Sequence, residues 1–228
     1  MAASVLLVAG LAWLQQGGFD RLRSDAHTAV GQMRRVSLED GSIVTLNTDT
    51  AASFHLDSNR REVKLLRGEA YFEVVHDPAR PFVVDSPAGS ARVLGTAFNV
   101  RIDRDQTRVS VVEGRVSVSS AGKSAVLARG QSAWLRADGV ESEANRDALA
   151  VKAWQRGQIV FYRTPLAEVA AELGRYRHGL VMVRGEALRR MPVSGAFEVA
   201  DPDEALRLVR ETLGVRSIGV GGWITVLY

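Results

Sequence analysis

A Gly-Thr pair, Gly95 and Thr96, raises the first question of chemistry in this sequence. The pair lies within ARVLGTAFNVRID, Ala91 to Asp103, whose spaced apolar residues predict a β-strand with the pair in its middle. The hydroxyl of Thr96 could attack the carbonyl carbon of Gly95, converting the peptide into an ester that water hydrolyses more easily. Alternatively, Gly95 only permits a bulge and Thr96 fills a strand position. The residues alone leave both interpretations open.

The other reactive side chains do not assemble a conventional active site. The four histidines have no neighbours at the spacing of metal ligands. Glu69 and Glu73 are four apart in a predicted strand, so they share a face and could serve acid–base catalysis, although exposed strand glutamates are commoner. We therefore expect a protein that is not an enzyme and holds no cofactor or metal, with single-turnover cleavage at Gly95–Thr96 as the one exception.

Composition excludes several classes of protein. The 228 residues include 29 basic and 26 acidic side chains, and no run of basic residues marks a nucleic-acid footprint. Because the chain has no cysteine, disulfides, thiolate metal sites and a cysteine nucleophile are all excluded. We expect no nucleic acid among its partners.

The N-terminus predicts a membrane anchor. MAASVLLVAGLAWL carries no charge over about 14 residues, fewer than the roughly 20 that span a bilayer. It lacks the basic region of a signal peptide, and a polar, glycine-containing stretch follows it. We interpret residues 1–16 as the C-terminal part of a membrane span and residues 17–32 as a linker.

Residues 33–137 read as an all-β domain. Three segments share a strand–glycine–strand design, in which Gly68, Gly114 and Gly130 can adopt positive φ and let the chain kink. Repetition of this unit predicts either a β-sandwich or a short β-solenoid.

A second domain follows a predicted linker over residues 138–153. Residues 154–228 predict the order β-α-β-β-α-β-β, a small α+β domain. Thr164 and Pro165 suit the start of its first helix, and Asp201 suits the N-cap of its second. The predicted fold class is therefore mainly β followed by α+β.

Several stretches together resemble the FecR family of bacterial transmembrane anti-sigma regulators. LEDGSIVTLN, REVKLLRGEAYFEVVHDPARPFVV, VLGTAFNVRIDRDQTRVSVVEGRVSV and LARGQSAWL match the periplasmic β-domain of that family in order and spacing. Residues 154–228 resemble the STN module, found at the N-termini of secretins and TonB-dependent transducers.

The resemblance implies a sensor in the periplasm of a Gram-negative bacterium, anchored in the inner membrane by its N-terminal span. Its partner would be the signalling domain of a TonB-dependent siderophore receptor, and periplasmic and intramembrane proteases would relay the signal. A sigma factor would bind only a cytoplasmic domain, which this sequence lacks.

The family also implies one set of site residues, and the residue types of the C-terminal domain supply candidates for another. Some FecR-like regulators cleave themselves at a Gly-Thr pair in this motif, which here is Gly95–Thr96. For the receptor contact, the aromatic candidates include Tyr162 and Trp223, and we select these two together with Arg163. Two other functions stay open: an autoproteolytic switch, and a periplasmic assembly or adhesion module.

Overall fold

The computed structural model describes residues 20, 23–143, 148–220 and 223–228, which form a β-sandwich and a smaller α+β unit. The predicted fold class is confirmed. The predicted membrane span over residues 1–16 lies outside the described residues. Within the described ranges, no helix combines the length and the apolar character needed to cross a membrane.

Fourteen strands of the described chain build the sandwich. In chain order they are β1 (Ala26–His27), β2 (Arg34–Ser37), β3 (Ile43–Leu46), β4 (Ala51–Leu56), β5 (Arg61–Arg67), β6 (Glu69–Glu73), β7 (Phe82–Ser86), β8 (Gly89–Val93), β9 (Ala97–Asp103), β10 (Gln106–Glu113), β11 (Arg115–Ser120), β12 (Lys123–Ala128), β13 (Ser132–Arg136) and β14 (Gly139–Glu143). The first sheet has the order β1-β4-β5-β7-β8-β11-β12, and the second has the order β14-β13-β10-β9-β6-β3-β2. Neighbours run antiparallel except β5 and β7, which are parallel.

The inner faces of the two sheets share one apolar core. Phe72 of the second sheet stacks on Phe98, with ring centroids 5.1 Å apart, and meets Phe82 of the first sheet edge-on at 6.2 Å. Because all three rings are fully buried, they join the two layers where apolar contact stabilises most. The architecture is a sandwich, and the solenoid alternative is wrong.

The three repeated glycines mark the points where the chain passes from one sheet to the other. Gly68 joins β5 to β6, Gly114 joins β10 to β11, and Gly130 joins β12 to β13. Their φ angles are +85°, +80° and +82°, so the predicted positive φ is confirmed. Strands that change sheets need such corners, and glycine takes this conformation without a Cβ penalty.

Both predicted linkers contribute strands, which corrects their interpretation. Within residues 17–32, β1 pairs with β4, and Ala26 of β1 is buried. Within residues 138–153, β14 pairs with β13 along its whole length. Both are edge strands, and the polar, solvent-facing composition of edge strands resembles that of a linker.

The C-terminal unit contains two small sheets and short helices. Its elements are α1 (Ala148–Val151), a 3-10 helix (Ala153–Arg156), β15 (Gln158–Pro165), α2 (Leu166–Gly174), β16 (Leu180–Val183), α3 (Glu186–Arg189), β17 (Pro192–Glu198), α4 (Pro202–Leu213), β18 (Ser217–Val220) and β19 (Ile224–Leu227). One sheet pairs β15 with β17, and the other has the order β16-β19-β18. The predicted order of elements is found, with the single turn of α3 added.

The predicted N-cap residue is confirmed for α4 and is wrong for α2. Asp201 caps α4 by accepting a hydrogen bond from the Glu204 amide at 2.9 Å, as predicted. Thr164 does not cap α2, because β15 continues through Pro165. The first amide of α2, that of Leu166, donates instead to the Met191 carbonyl at 2.8 Å.

Candidate functional site

The three-stranded sheet of the C-terminal unit exposes an apolar outer face. In its register, Leu180 pairs with Ile224, and Met182 pairs with Val226, which also pairs with Ile218. Four of these five side chains are exposed and Val226 is half-buried. The residues between them turn inward. We call the surface formed by Leu180, Met182, Ile218, Ile224 and Val226 the outer face. Contiguous exposed apolar surface of this kind marks an interaction site.

The predicted contact residues lie on two different sheets. Trp223 directly precedes β19, is 65% exposed, and accepts a hydrogen bond from the Leu180 amide, so it adjoins the outer face. Tyr162, 81% exposed, and Arg163 lie on β15 and line a cleft of about 800 Å³ between the two units. Arg163 has a φ of +48° at an irregularity in that strand, and its amide donates to the Ser194 hydroxyl. The structure does not bring the three residues together.

Gly95 and Thr96 form a bend between β8 and β9, which corrects the expectation of one continuous strand. The two strands belong to different sheets, so the bend is another crossing. Gly95 has no left-handed φ, but a Cβ there would lie 2.6 Å from the His76 Cα. Close packing therefore requires glycine at this position. Thr96 is buried, and its hydroxyl donates to the Arg115 carbonyl at 3.0 Å.

The loop that crowds Gly95 is held by a buried arginine that the sequence did not single out. The Arg61 guanidinium donates to the carbonyls of Val75, Asp77 and Arg80 and pairs with Asp40 at 3.1 Å. Arg61 is only 2% exposed. These bonds fix residues 75–80 against the bend. An arginine at the start of an ordinary-looking strand gave no sign of this role.

A buried cluster of charges joins the C-terminal unit to the sandwich. Arg175, just after α2, donates to Glu69 of β6 at 2.7 Å and to Glu172 of α2 at 2.9 Å. Glu172 also accepts from Arg101 of β9 at 2.5 Å. We call Glu69, Arg101, Glu172 and Arg175 the joint. Glu69 is therefore not an exposed strand glutamate, and it does not form a pair with Glu73.

Neutral polar groups complete the joint. Glu69 accepts hydrogen bonds from Asn47 at 2.9 Å and from Asn99 at 2.8 Å, and Asn47 also donates to the Tyr176 hydroxyl at 2.8 Å. The Thr48 hydroxyl donates to the carbonyl of Arg175 at 2.9 Å. Because a buried carboxylate is costly unless paired, these contacts are what permit Glu69 to be 5% exposed.

The joint shifts the pKa values of its members. Burial alone would raise the pKa of Glu172 and of Glu69, but the positive charges of Arg101 and Arg175 outweigh burial and lower both. The pKa of Glu172 falls to about 2. Burial, reinforced by Glu69 and Glu172, raises the pKa of the Tyr176 phenol. The joint is therefore fully charged at neutral pH.

Comparison with known proteins identifies the sandwich. Residues 24–117 match the protein family described as FecR protein, a range that begins just before β1 and ends within β11. This region of the chain is therefore FecR-like. The predicted resemblance of this region is confirmed. The STN-like assignment of the C-terminal unit stays a prediction.

Solved structures share the architecture beyond the FecR region. Two crystal structures of a candidate anti-sigma factor from Parabacteroides distasonis, at 1.65 Å and 2.50 Å, match with TM-scores of 0.76 and 0.75. Each is 27% identical in sequence, and the match covers 89% of this chain and 97% of the other. Because only 11% of the chain lies outside the match, most of the C-terminal unit is included. No curated protein matches the chain. The family and these likenesses support a regulatory role in signalling.

The attachment of the C-terminal unit to the FecR region should weaken in acid. The folded pKa of Glu172, about 2, lies below its usual 4.5, so the folded state binds fewer protons. The stability from this carboxylate is present above about pH 4.5 and is lost as the pH falls toward 2. We expect a loss of about 2–3 kcal/mol in the free energy of unfolding, measured by urea denaturation across that range.

Two variants separate this effect from general acid sensitivity. Glu172→Gln should lower stability at neutral pH and flatten its pH dependence. Glu186→Gln removes an exposed carboxylate paired with Arg190 and should leave the profile unchanged. An unchanged slope in Glu172→Gln would show that Glu172 is not the group that titrates.

Proposed function

We propose that the chain is the periplasmic sensor region of a transmembrane anti-sigma regulator of siderophore uptake. Its FecR region and its likeness to an anti-sigma factor support this function, and so does the exposed apolar surface of the C-terminal unit. The proposed partner is the signalling domain of a TonB-dependent siderophore receptor. The signal would pass inward through regulated proteolysis by periplasmic and intramembrane proteases, to a sigma factor held by a cytoplasmic domain. The N-terminal span would anchor the chain in the inner membrane.

The outer face is the observation that carries the receptor contact. It adjoins Trp223 and belongs to a sheet whose two edge strands, β16 and β18, each have only one partner among the described residues. A sheet edge with unpaired backbone groups can accept a further strand. The C-terminal unit, which we take to be STN-like, thus combines an apolar face with open edges.

Titration with the signalling domain of a receptor encoded beside this gene tests the proposal. We expect a dissociation constant of about 1 μM or tighter, measured by calorimetry. Trp223→Ala should weaken binding at least about tenfold, because large aromatic side chains carry much of the binding energy of protein interfaces.

Tyr162→Ala is the matched aromatic truncation on the other sheet. If it weakens binding more than Trp223→Ala, the contact lies at the cleft between the units. Absence of binding by any such signalling domain would contradict the sensor and favour an assembly or adhesion module.

A second candidate function is self-cleavage at Gly95–Thr96. In this reaction the Thr96 oxygen bonds to the Gly95 carbonyl carbon, the peptide C–N bond breaks, and the hydroxyl proton passes to the freed Thr96 amine. Water then hydrolyses the ester. Hydrogen bonds hold both sides of the bend, from the Asp77 amide to Leu94 at 2.8 Å and from the Val74 amide to Thr96 at 3.1 Å. Two fragments would therefore stay associated through the sheets.

The intact mass of the denatured protein tests self-cleavage without any partner. Two fragments that meet between Gly95 and Thr96 are expected, and Thr96→Ala should give a single chain. Thr107→Ala, which removes another buried hydroxyl of the second sheet, is the matched control and should cleave like the wild type. One uncut chain in all three would leave Gly95 as a packing requirement only.

A further inference from the structure

The outer face changes from apolar to basic along its length. The first row of the face contains Leu180 and Ile224, and the second row contains Met182, Val226 and Ile218. A third row follows at the same spacing of two residues and consists of Arg184, Tyr228 and Arg216. The Arg184 amide bonds to β19, and the Arg216 and Tyr228 backbones exchange two hydrogen bonds, so the sheet register extends to this third row. All three side chains of the row are exposed.

Within the part of the chain that the structure describes, the two arginines of the third row have no acidic side chain as partner. Other arginines of the same unit do: Arg190 pairs with Glu186, and Arg207 pairs with Glu204 and Glu211. Among the described residues, no carboxylate side chain lies within 4.0 Å of the Arg184 or Arg216 guanidinium. Their charge is therefore available to a partner.

An apolar groove of about 790 Å³ continues from this row around the end of the sheet. Arg184 and Tyr228 lie on its rim, together with Val226 and Ile218 of the outer face. Its far wall consists of side chains from α3, the end of α4 and their loops, namely Leu188, Met191, Leu213 and Val215. The apolar surface and the two cations therefore belong to one continuous region.

We propose that this region binds a protein segment whose apolar side chains are followed by carboxylates. The apolar part covers the outer face and enters the groove, and the carboxylates pair with Arg184 and Arg216. Arginine presents a planar fork of donors that matches a carboxylate in two parallel hydrogen bonds. This inference rests on the proposed sensor function and specifies which surface of the receptor's signalling domain is complementary.

The charge distribution favours a protein over an anionic membrane surface. Binding to anionic lipid requires clusters of about four to eight cations, each adding a small increment. The third row supplies two, beside an apolar surface with Tyr228 and Trp223 at its margins. Apolar centres with arginine, tyrosine and tryptophan are typical of protein interfaces.

Charge reversal tests the inference on the complete chain, with the receptor's signalling domain as the probe. The double variant Arg184→Glu/Arg216→Glu should weaken binding at least about tenfold and reduce its dependence on salt. Met182→Asp should weaken it at least about a hundredfold, since a charge would be buried in the contact. Arg129→Glu, an exposed reversal in the sandwich between β12 and β13, is the matched control and should bind like the wild type. Thermal melting checks that every variant is folded.

The outcomes separate this inference from the sensor function. If the wild type and the double reversal bind equally well, the inference of an acidic partner surface is wrong, but the proposed sensor function is retained. If the wild type does not bind, both are wrong. Binding to vesicles of phosphatidylglycerol that is lost in the double reversal, without binding to the signalling domain, would replace the protein partner by a membrane.

Discussion

Replacing Arg175 by methionine should lower the free energy of unfolding by about 3–5 kcal/mol. The substitution keeps much of the apolar volume but leaves Glu69 and Glu172 without the cation between them. Glu69 would retain its bonds to Asn47 and Asn99 and still be buried with its charge poorly compensated. Breaking one side of a buried ion pair is destabilising for this reason, even where the intact pair contributes little. Urea denaturation at neutral pH measures the difference.

The location of the damage is as informative as its size. Because Arg175 and Tyr176 lie in the C-terminal unit and their partners lie in the sandwich, the variant should release one unit from the other. Amide hydrogen exchange should speed up first around α2 and residues 47–48, while the sandwich core around Phe72 stays protected.

Arg207→Met is the matched control for Arg175→Met. Arg207 also contacts two carboxylates, Glu204 and Glu211, but on the exposed face of α4, with 47% of its side chain accessible. Solvent screens such pairs, so its loss should change stability little. Equal losses in the two variants would mean that charge pairing, not burial at the joint, sets the effect. A double variant, Glu69→Gln/Arg175→Met, should recover part of the loss by removing the uncompensated charge.

The elements of this fold could largely be predicted because their signals are local. Alternating apolar and polar residues predict the strands. The apolar stripe of Leu166, Val169, Ala170 and Leu173 predicts α2, and all four of these side chains are buried. Asp201 is the N-cap of α4, as predicted, and Gly214 ends that helix in the left-handed conformation. Each of these depends on neighbours within a few positions along the chain.

The joint could not be predicted because its partners are distant in sequence. Glu69 and Arg175 are 106 positions apart, and Asn47 and Tyr176 are 129 apart. In the strand EAYFE, Glu69 alternates as a solvent-facing residue should. That face is covered only because α2 packs on the second sheet, which no local pattern shows.

The bend at Gly95 could not be predicted from the sequence for a different reason. β8 and β9 carry the same alternation, and only three residues separate them, so they merge into one apparent strand. The change of sheet becomes visible in the hydrogen bonds, where Ala91 pairs with Val84 and Val118 in one layer and Phe98 pairs with Phe72 and Val111 in the other. A crossing between sheets that uses no left-handed glycine cannot be recognised from the residue types in the sequence.

Replacing Gly68 by alanine should destabilise the sandwich by about 3–4 kcal/mol. The φ of Gly68 is +85°, which an L-residue adopts at a cost of about 1–2 kcal/mol. A Cβ there would also meet the Thr50 hydroxyl and lie 2.6 Å from the Thr50 Cα and 2.7 Å from the Asp49 carbonyl oxygen. The Thr50 Cα and the Asp49 carbonyl oxygen are backbone atoms, so they can move only by displacing the neighbouring strand. Chemical denaturation of the purified variant measures the loss.

Gly130→Ala separates the two contributions, because Gly130 occupies the same kind of crossing without the contact. Its φ is +82°, and a Cβ there would meet nothing within 4 Å. Its substitution should therefore cost only the conformational part, about 1–2 kcal/mol. If the two variants lose the same stability, close packing at the β5–β6 corner adds nothing, and the glycine is required for its φ alone. A larger loss at Gly68 shows that close packing against Asp49 and Thr50, as well as the positive φ, requires glycine at this corner, one residue before the carboxylate that anchors the C-terminal unit.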